Sequence, residues 1–231
     1  MGGRGGSSHQ RTVGFDLRRM TATSQVADWI KQQRWFTPNA SVHLDGVDVA
    51  AAREIALAFQ QVFQRYPQLI GAFDGVKSFD LGANVYADCN LATGQIRVSV
   101  SMYRDAKALS RHYASDIRAN WHPVGTDWPS IITHEIGHAV DGYIAQKLHT
   151  SDGSMHWDWY RNSAALQKKI ADKFAFEPTE ERIGREVSRY GATNTAEWFA
   201  ESFAEGMRSS SPRRMAAELM KELDELMRRF R

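Results

Sequence analysis

Between Pro129 and Leu148 the chain reads PSIITHEIGHAVDGYIAQKL, a helical pattern whose circumference is mostly apolar. Ile131, Ile132, Ile136, Ala139 and Val140 cover most of its faces, so the helix belongs inside the fold rather than on its surface. Yet His134, Glu135, His138 and Asp141 stand in the same stretch. Two imidazoles and two carboxylates are costly to bury unless other groups satisfy them. No other segment constrains the fold as tightly, because whatever encloses this helix must also answer its polar side chains.

The remaining chain can enclose it. At 231 residues, with 42% hydrophobic and 11% aromatic side chains, this is a globular composition of domain size. The expected organisation is a flexible, Gly- and Ser-rich arm over 1–20 and one domain over 21–231. A formal charge of +2 points neither toward nor away from nucleic acid. The arginines of RRM (18–20), SRH (110–112) and the C-terminal end are scattered and lack interleaved aromatics, so no specific nucleic-acid surface is expected. The single cysteine, Cys89, excludes an internal disulfide and a cysteine-rich zinc knuckle, and reads as a small buried hydrophobe. The opening MGGRGGSSHQR has no apolar run behind it, so neither a signal peptide nor a membrane span is expected.

Periodicity places helices near 23–37, 49–66, 105–118, 129–148, 162–174, 194–208 and 212–229, with 177–192 irregular or briefly helical. Val-, Tyr- and Phe-rich pieces at 75–81, 83–89 and 95–103 read as strands, and NLATG (90–94) as a hairpin turn. In the last of these strands Ile96, Val98 and Val100 alternate with Arg97, Ser99 and Ser101, which suggests an edge strand with one polar side. The order of helix, small sheet and further helices indicates an α+β chain.

HEIGH sets His134 and His138 one helical turn apart on one face, where both rings can meet one metal ion. Glu135, rotated by one residue, is placed to take a proton from a water there. Gly137 costs helix stability, which makes sense if another segment must pass close by. Asp141 shares the histidine face; an orienting or structural role suits it better than ligation, since three ligands on one rigid helix would struggle to surround an ion. A third ligand must come from elsewhere, and SRYGATNTAEWFAESFAEGM (188–207) is the richest source. Glu197, Glu201 and Glu205 recur there at one-turn intervals among Trp198, Phe199 and Phe203. Asn194 followed by Glu197 also fits a capping box, and spacing leaves the two readings of Glu197 level.

HEIGHAVD followed by Y-G-x-T-N-x-x-E-x-F-A-E resembles the catalytic domain of anthrax lethal factor and its relatives, which include the Pro-Pro endopeptidases and lethal-factor-like peptidases of toxins and phages. The resemblance is strong over 125–208 and reaches 70–103 only in outline. It implies a zincin-like metallopeptidase fold, a small mixed sheet packed with helices around the HExxH helix, and a Zn2+ cofactor. It places the zinc ligands on His134, His138 and Glu197, the general base on Glu135, a carbonyl-directed tyrosine on Tyr190 and a supporting carboxylate on Glu201. The implied reaction is hydrolysis of a protein or peptide substrate, with phage structural proteins or a host target as partners. The stretch from His138 to Glu197, containing HTSDGSMHWDWYRN, is longer than the family leads one to expect, so no particular substrate is carried over.

A second reading keeps the zincin fold as a phage or mobile-element assembly module with little or no turnover. Glu135 argues against it, because a scaffold has no need of that residue. Of the other histidines, His112, His122, His149 and His156 have no spacing that points at the site and read as ordinary; His122, close before the metal helix, takes second place as a site-lining residue, and HWDWY (156–160) reads as loop packing.

Overall fold

A computed structural model describes residues 16–149 and 159–230. The packed chain already includes Leu17 and Met20, both buried. α1 (Thr23–Gln32) turns Val26, Ala27 and Ile30 inward. It stops short of the 23–37 expected because Arg34 takes a positive φ of 55°, a left-handed conformation that no helix continues. α2 (Val49–Arg65) is capped by Asp48, whose carboxylate accepts from the Ala50 N–H at 2.7 Å. Its buried row of Ile55, Phe59 and Phe63 follows the predicted spacing. Around Phe63 gather Trp35, Phe36 and Phe73, with ring centroids 5.5–6.0 Å apart.

The strands β1 (Ser41–His43), β2 (Gly75–Phe79), β3 (Ala87–Asn90) and β4 (Gln95–Ser99) form one four-stranded sheet in the order β1-β2-β4-β3. β1, β2 and β4 run parallel, while β3 pairs antiparallel with β4 across the predicted hairpin. The sheet is therefore small and mixed, as expected.

The edge-strand expectation for 95–103 does not hold. β4 lies between β2 and β3, and the edges are β1 and β3. Arg97 is not free for an outside strand: its guanidinium pairs with Asp88, its opposite neighbour on β3, through Nε at 2.8 Å. Ser99 is fully buried rather than solvent-facing, and the chain beyond it turns into the short helix α3 (Val100–Tyr103). Alternation reports which face a side chain takes and is silent about which strands lie to either side.

The other helices are α4 (Ala106–Arg118), α5 (Ser130–His149), α6 (Trp159–Lys173), α7 (Glu180–Glu186), α8 (Thr195–Arg208) and α9 (Arg214–Arg229). α5 is the axis of the fold: its residues 131–142 are all buried. α8 packs along it most extensively, α2 and α6 flank it, and β3 lies beside it on the sheet side. α8 brings the fully buried Trp198, Phe199 and Phe203 to this interface. α9 covers α8 with Met215, Leu219 and Leu223. None of the described helices is long and apolar enough to cross a membrane. Residues 150–158, with His156 and most of HWDWY, lie outside the described residues.

Candidate metal centre

α5 and α8 bring the polar groups together. On α5, His134, Glu135 and His138 are each under 10% exposed although they stand in an apolar helix. The close approach of α8 depends on Gly137: a Cβ there would come within 3.0 Å of the Ala200 Cα and 3.2 Å of the Phe203 ring. The segment expected to pass near that glycine is α8 itself, the helix carrying Glu197 and Glu201.

The capping and ligand readings of Glu197 prove compatible. Asn194 caps α8 by accepting from the Glu197 backbone N–H at 2.9 Å. The Glu197 side chain points instead to α5, where Oε2 lies 3.0 Å from His134 Nε2 and 3.3 Å from His138 Nε2. The two imidazole nitrogens are 3.1 Å apart. Donors placed at zinc-ligand distances around a tetrahedral ion would be separated by about 3.3 Å. Although the contacts are short, Glu197 Oε2 has no ring N–H aligned on it. The two Nε2 atoms are within hydrogen-bonding reach of each other, while Glu197 Oε2 converges on the same point without bonding to either ring. His134, His138 and Glu197 thus form a buried, zincin-like HExxH-type metal site in an α+β fold, and the donor set of two imidazoles and one carboxylate suits a divalent ion.

Glu201, one turn after Glu197, is 2% exposed and lies behind the site. Its Oε1 approaches His134 Nδ1 at 2.9 Å and His122 Nδ1 at 3.0 Å, while Ser188 Oγ donates to Oε2 at 3.1 Å. Burial alone would raise its pKa, but the His122 and His134 contacts outweigh it and hold the carboxyl down at about 2. Glu197 is held below the usual carboxylate range in the same way, burial being overcome by His134 and His138. Glu135 moves the other way: burial raises it against the pull of the two histidines. A carboxylate with raised proton affinity is suited to take a proton and return it.

Tyr190 stacks with His134 at 5.7 Å between centroids and with Trp121 at 5.5 Å. Its hydroxyl is raised by burial first, then by the Glu197 and Glu135 carboxylates nearby. Two backbone bonds position it, from Tyr190 N to Trp121 O at 3.0 Å and from Arg189 N to Asn120 O at 2.9 Å. His134, Glu135 and Tyr190 open onto one cleft of about 480 Å³, with the approach to β3 (Val85, Tyr86) on one wall and Trp121 on another. Tyr86 is fixed there by donating to Asp116 at 2.6 Å.

Comparison of the chain with protein-family models, curated proteins and solved structures finds no match.

Two sequence candidates lie elsewhere. Asp141 accepts from Asn162 Nδ2 at 2.7 Å, tying α5 to α6. Glu205, the third carboxylate of the one-turn series, accepts from Arg213 through the backbone N at 2.7 Å and Nη2 at 2.8 Å, which locks the turn between α8 and α9. Ser188 was not legible as a site residue. Its only signal was its position two residues before Tyr190. His112 lines the far part of the cleft, close to Tyr86.

Proposed function

We propose that this protein is a zinc-dependent endopeptidase, related in design to the lethal-factor-like peptidases, with His134, His138 and Glu197 as metal ligands. The observation that carries the reading is the convergence of those three donor atoms, with His134, Glu135 and Tyr190 opening onto one cleft. A zinc ion held there would supply Lewis acidity to a water and to a substrate carbonyl. Glu135 accepts the water proton on its carboxylate and later delivers a proton to the leaving amine. The Tyr190 hydroxyl donates to the carbonyl oxygen as negative charge develops on it. Glu201 keeps the His134 ring oriented through Nδ1. β3, a sheet edge packed beside α5, can take an extended peptide by strand addition. Substrates are then protein segments that become extended in the cleft, and the assembly-module alternative predicts little or no turnover.

The test pairs metal content with cleavage of a peptide library. The parent should carry one zinc per chain and cut a subset of peptides. Glu197→Ala should lose most of the metal, while Glu135→Gln should keep it and lose about 10²–10⁴-fold in rate, the usual worth of a positioned acid–base group. Zinc-free parent protein under zinc supplementation would sink the metal reading. Zinc binding with no difference between parent and Glu135→Gln on any substrate would favour the assembly module.

A further inference from the structure

His122 reaches the site from the loop between α4 and α5 and is only 7% exposed. Its Nδ1 shares Glu201 Oε1 with His134 Nδ1, at 3.0 Å and 2.9 Å respectively. An ionised carboxylate can only accept, so His122 presents an N–H at Nδ1 to that oxygen. His134 Nδ1 lies as close without an N–H aligned on it, and the nearby negative charge favours the proton on that nitrogen. In a neutral ring that leaves the lone pair on Nε2. For His134, Nε2 is the atom that stands with His138 and Glu197 in the ligand triangle. One carboxylate therefore biases the tautomer of the ligand imidazole by its charge and is itself held by two donors, from His122 and Ser188.

The His122 ring has little freedom to leave this arrangement. It stacks on Tyr113 with centroids 4.8 Å apart and planes 15° apart, and meets Tyr190 edge-on at 5.8 Å. Its own Nε2 is buried without a partner. A ring held only for packing could be an apolar one, whereas this ring keeps an orphaned nitrogen and spends its other nitrogen on Glu201. The preceding residues Asn120 and Trp121 are bonded to Arg189 and Tyr190, so the loop that delivers His122 is the one that seats the tyrosine.

We infer that His122 is a positioning residue of the metal centre, fixing the orientation and tautomer of His134 through Glu201. This rests on the reading of His134 as a metal ligand.

Three variants of the full chain separate donation from packing. His122→Phe keeps a flat ring against Tyr113 but removes the N–H, His122→Ala removes both, and His122→Asn places an amide N–H near the former Nδ1. Zinc and cobalt affinities are measured by chelator competition, the cobalt absorption spectrum reports ligand geometry, and circular dichroism follows folding. His122→Phe and His122→Ala should lower metal affinity about tenfold or more, as loss of an outer partner of a ligand histidine does, and alter the cobalt spectrum. His122→Asn should recover most of the affinity. Parent-like affinity in the folded His122→Phe or His122→Ala overturns the assignment, as does a His122→Asn that loses as much as His122→Phe. A parent that binds neither metal overturns the reading of the whole centre, an outcome distinct from these.

Discussion

At the scale of single residues, Asp141 carries the clearest pH signature. Burial pushes its carboxyl from 3.8 up to about 6, against the Asn162 hydrogen bond that favours the charged form. Because the folded-state pKa is raised, the folded protein holds this proton more tightly than the unfolded chain. The resulting stability is fully present below the unfolded value near 4 and is lost as pH rises through about 6. Asp141→Asn, which can still accept from Asn162, should match the parent in thermal stability at pH 4. Above pH 7 it should be more stable, by at most about 3 kcal/mol for this pKa gap. A less stable variant at pH 8 would show instead that the ionised carboxylate is used by the fold, with a drop in zinc affinity locating that use at His138. The residue types that make up the centre were legible beforehand because HExxH carries its geometry within one helical turn. Glu205 shows the limit of such reading: its spacing equals that of Glu197 and Glu201, but its partner is Arg213, on the turn into α9.

At the scale of elements, the centre is made by the distance between α5 and α8, and Gly137 sets that distance. An added Cβ would meet backbone at Ala200, which cannot swing aside as a flexible side chain can. Gly137→Ala gains about 1 kcal/mol of helix propensity and loses about 1–3 kcal/mol to overpacking, so its net effect on stability is small. Its effect on the ligand triangle is not, since Glu197 moves with α8. Zinc affinity should fall at least about tenfold, the scale of a disturbed ligand environment, while the apo-protein melts within a few degrees of the parent. Unchanged affinity would mean that α8 has room to slide along α5 without carrying Glu197 out of reach. The helices themselves were readable from apolar spacing to within a few residues at most ends. The exceptions are α3, which falls inside the stretch read as a strand, and α1, which ends where Arg34 adopts a left-handed backbone, for which an arginine gives no local warning.

For the whole molecule, the metal would join the two most extensively packed helices, so its removal should be felt globally. Zinc at a hundred times its dissociation constant adds about 2.7 kcal/mol to the folded state by mass action. For a chain of this size that corresponds to a melting temperature about 5–10 °C higher. Chelation should reverse the increase in the parent and have no effect on Glu197→Ala. An equal chelator response in both proteins would place the stabilising metal somewhere other than between α5 and α8.

From sequence alone the chain was bound to contain a buried helix with paired histidines, a hairpin of strands and a second, glutamate-bearing amphipathic helix. Each of those follows from local periodicity and from the cost of burying charge without a partner. Tertiary structure decided the lateral order of the strands, so that β3 rather than β4 lies at an edge, because side-chain alternation contains no information about strand neighbours. It also decided which carboxylates meet which histidines. Glu201 lies against both His122 and His134, residues 79 and 67 positions away in the chain, and only the packing of α8 against α5 and of the 120–122 loop against 188–190 can bring such groups within 3.0 Å of one oxygen.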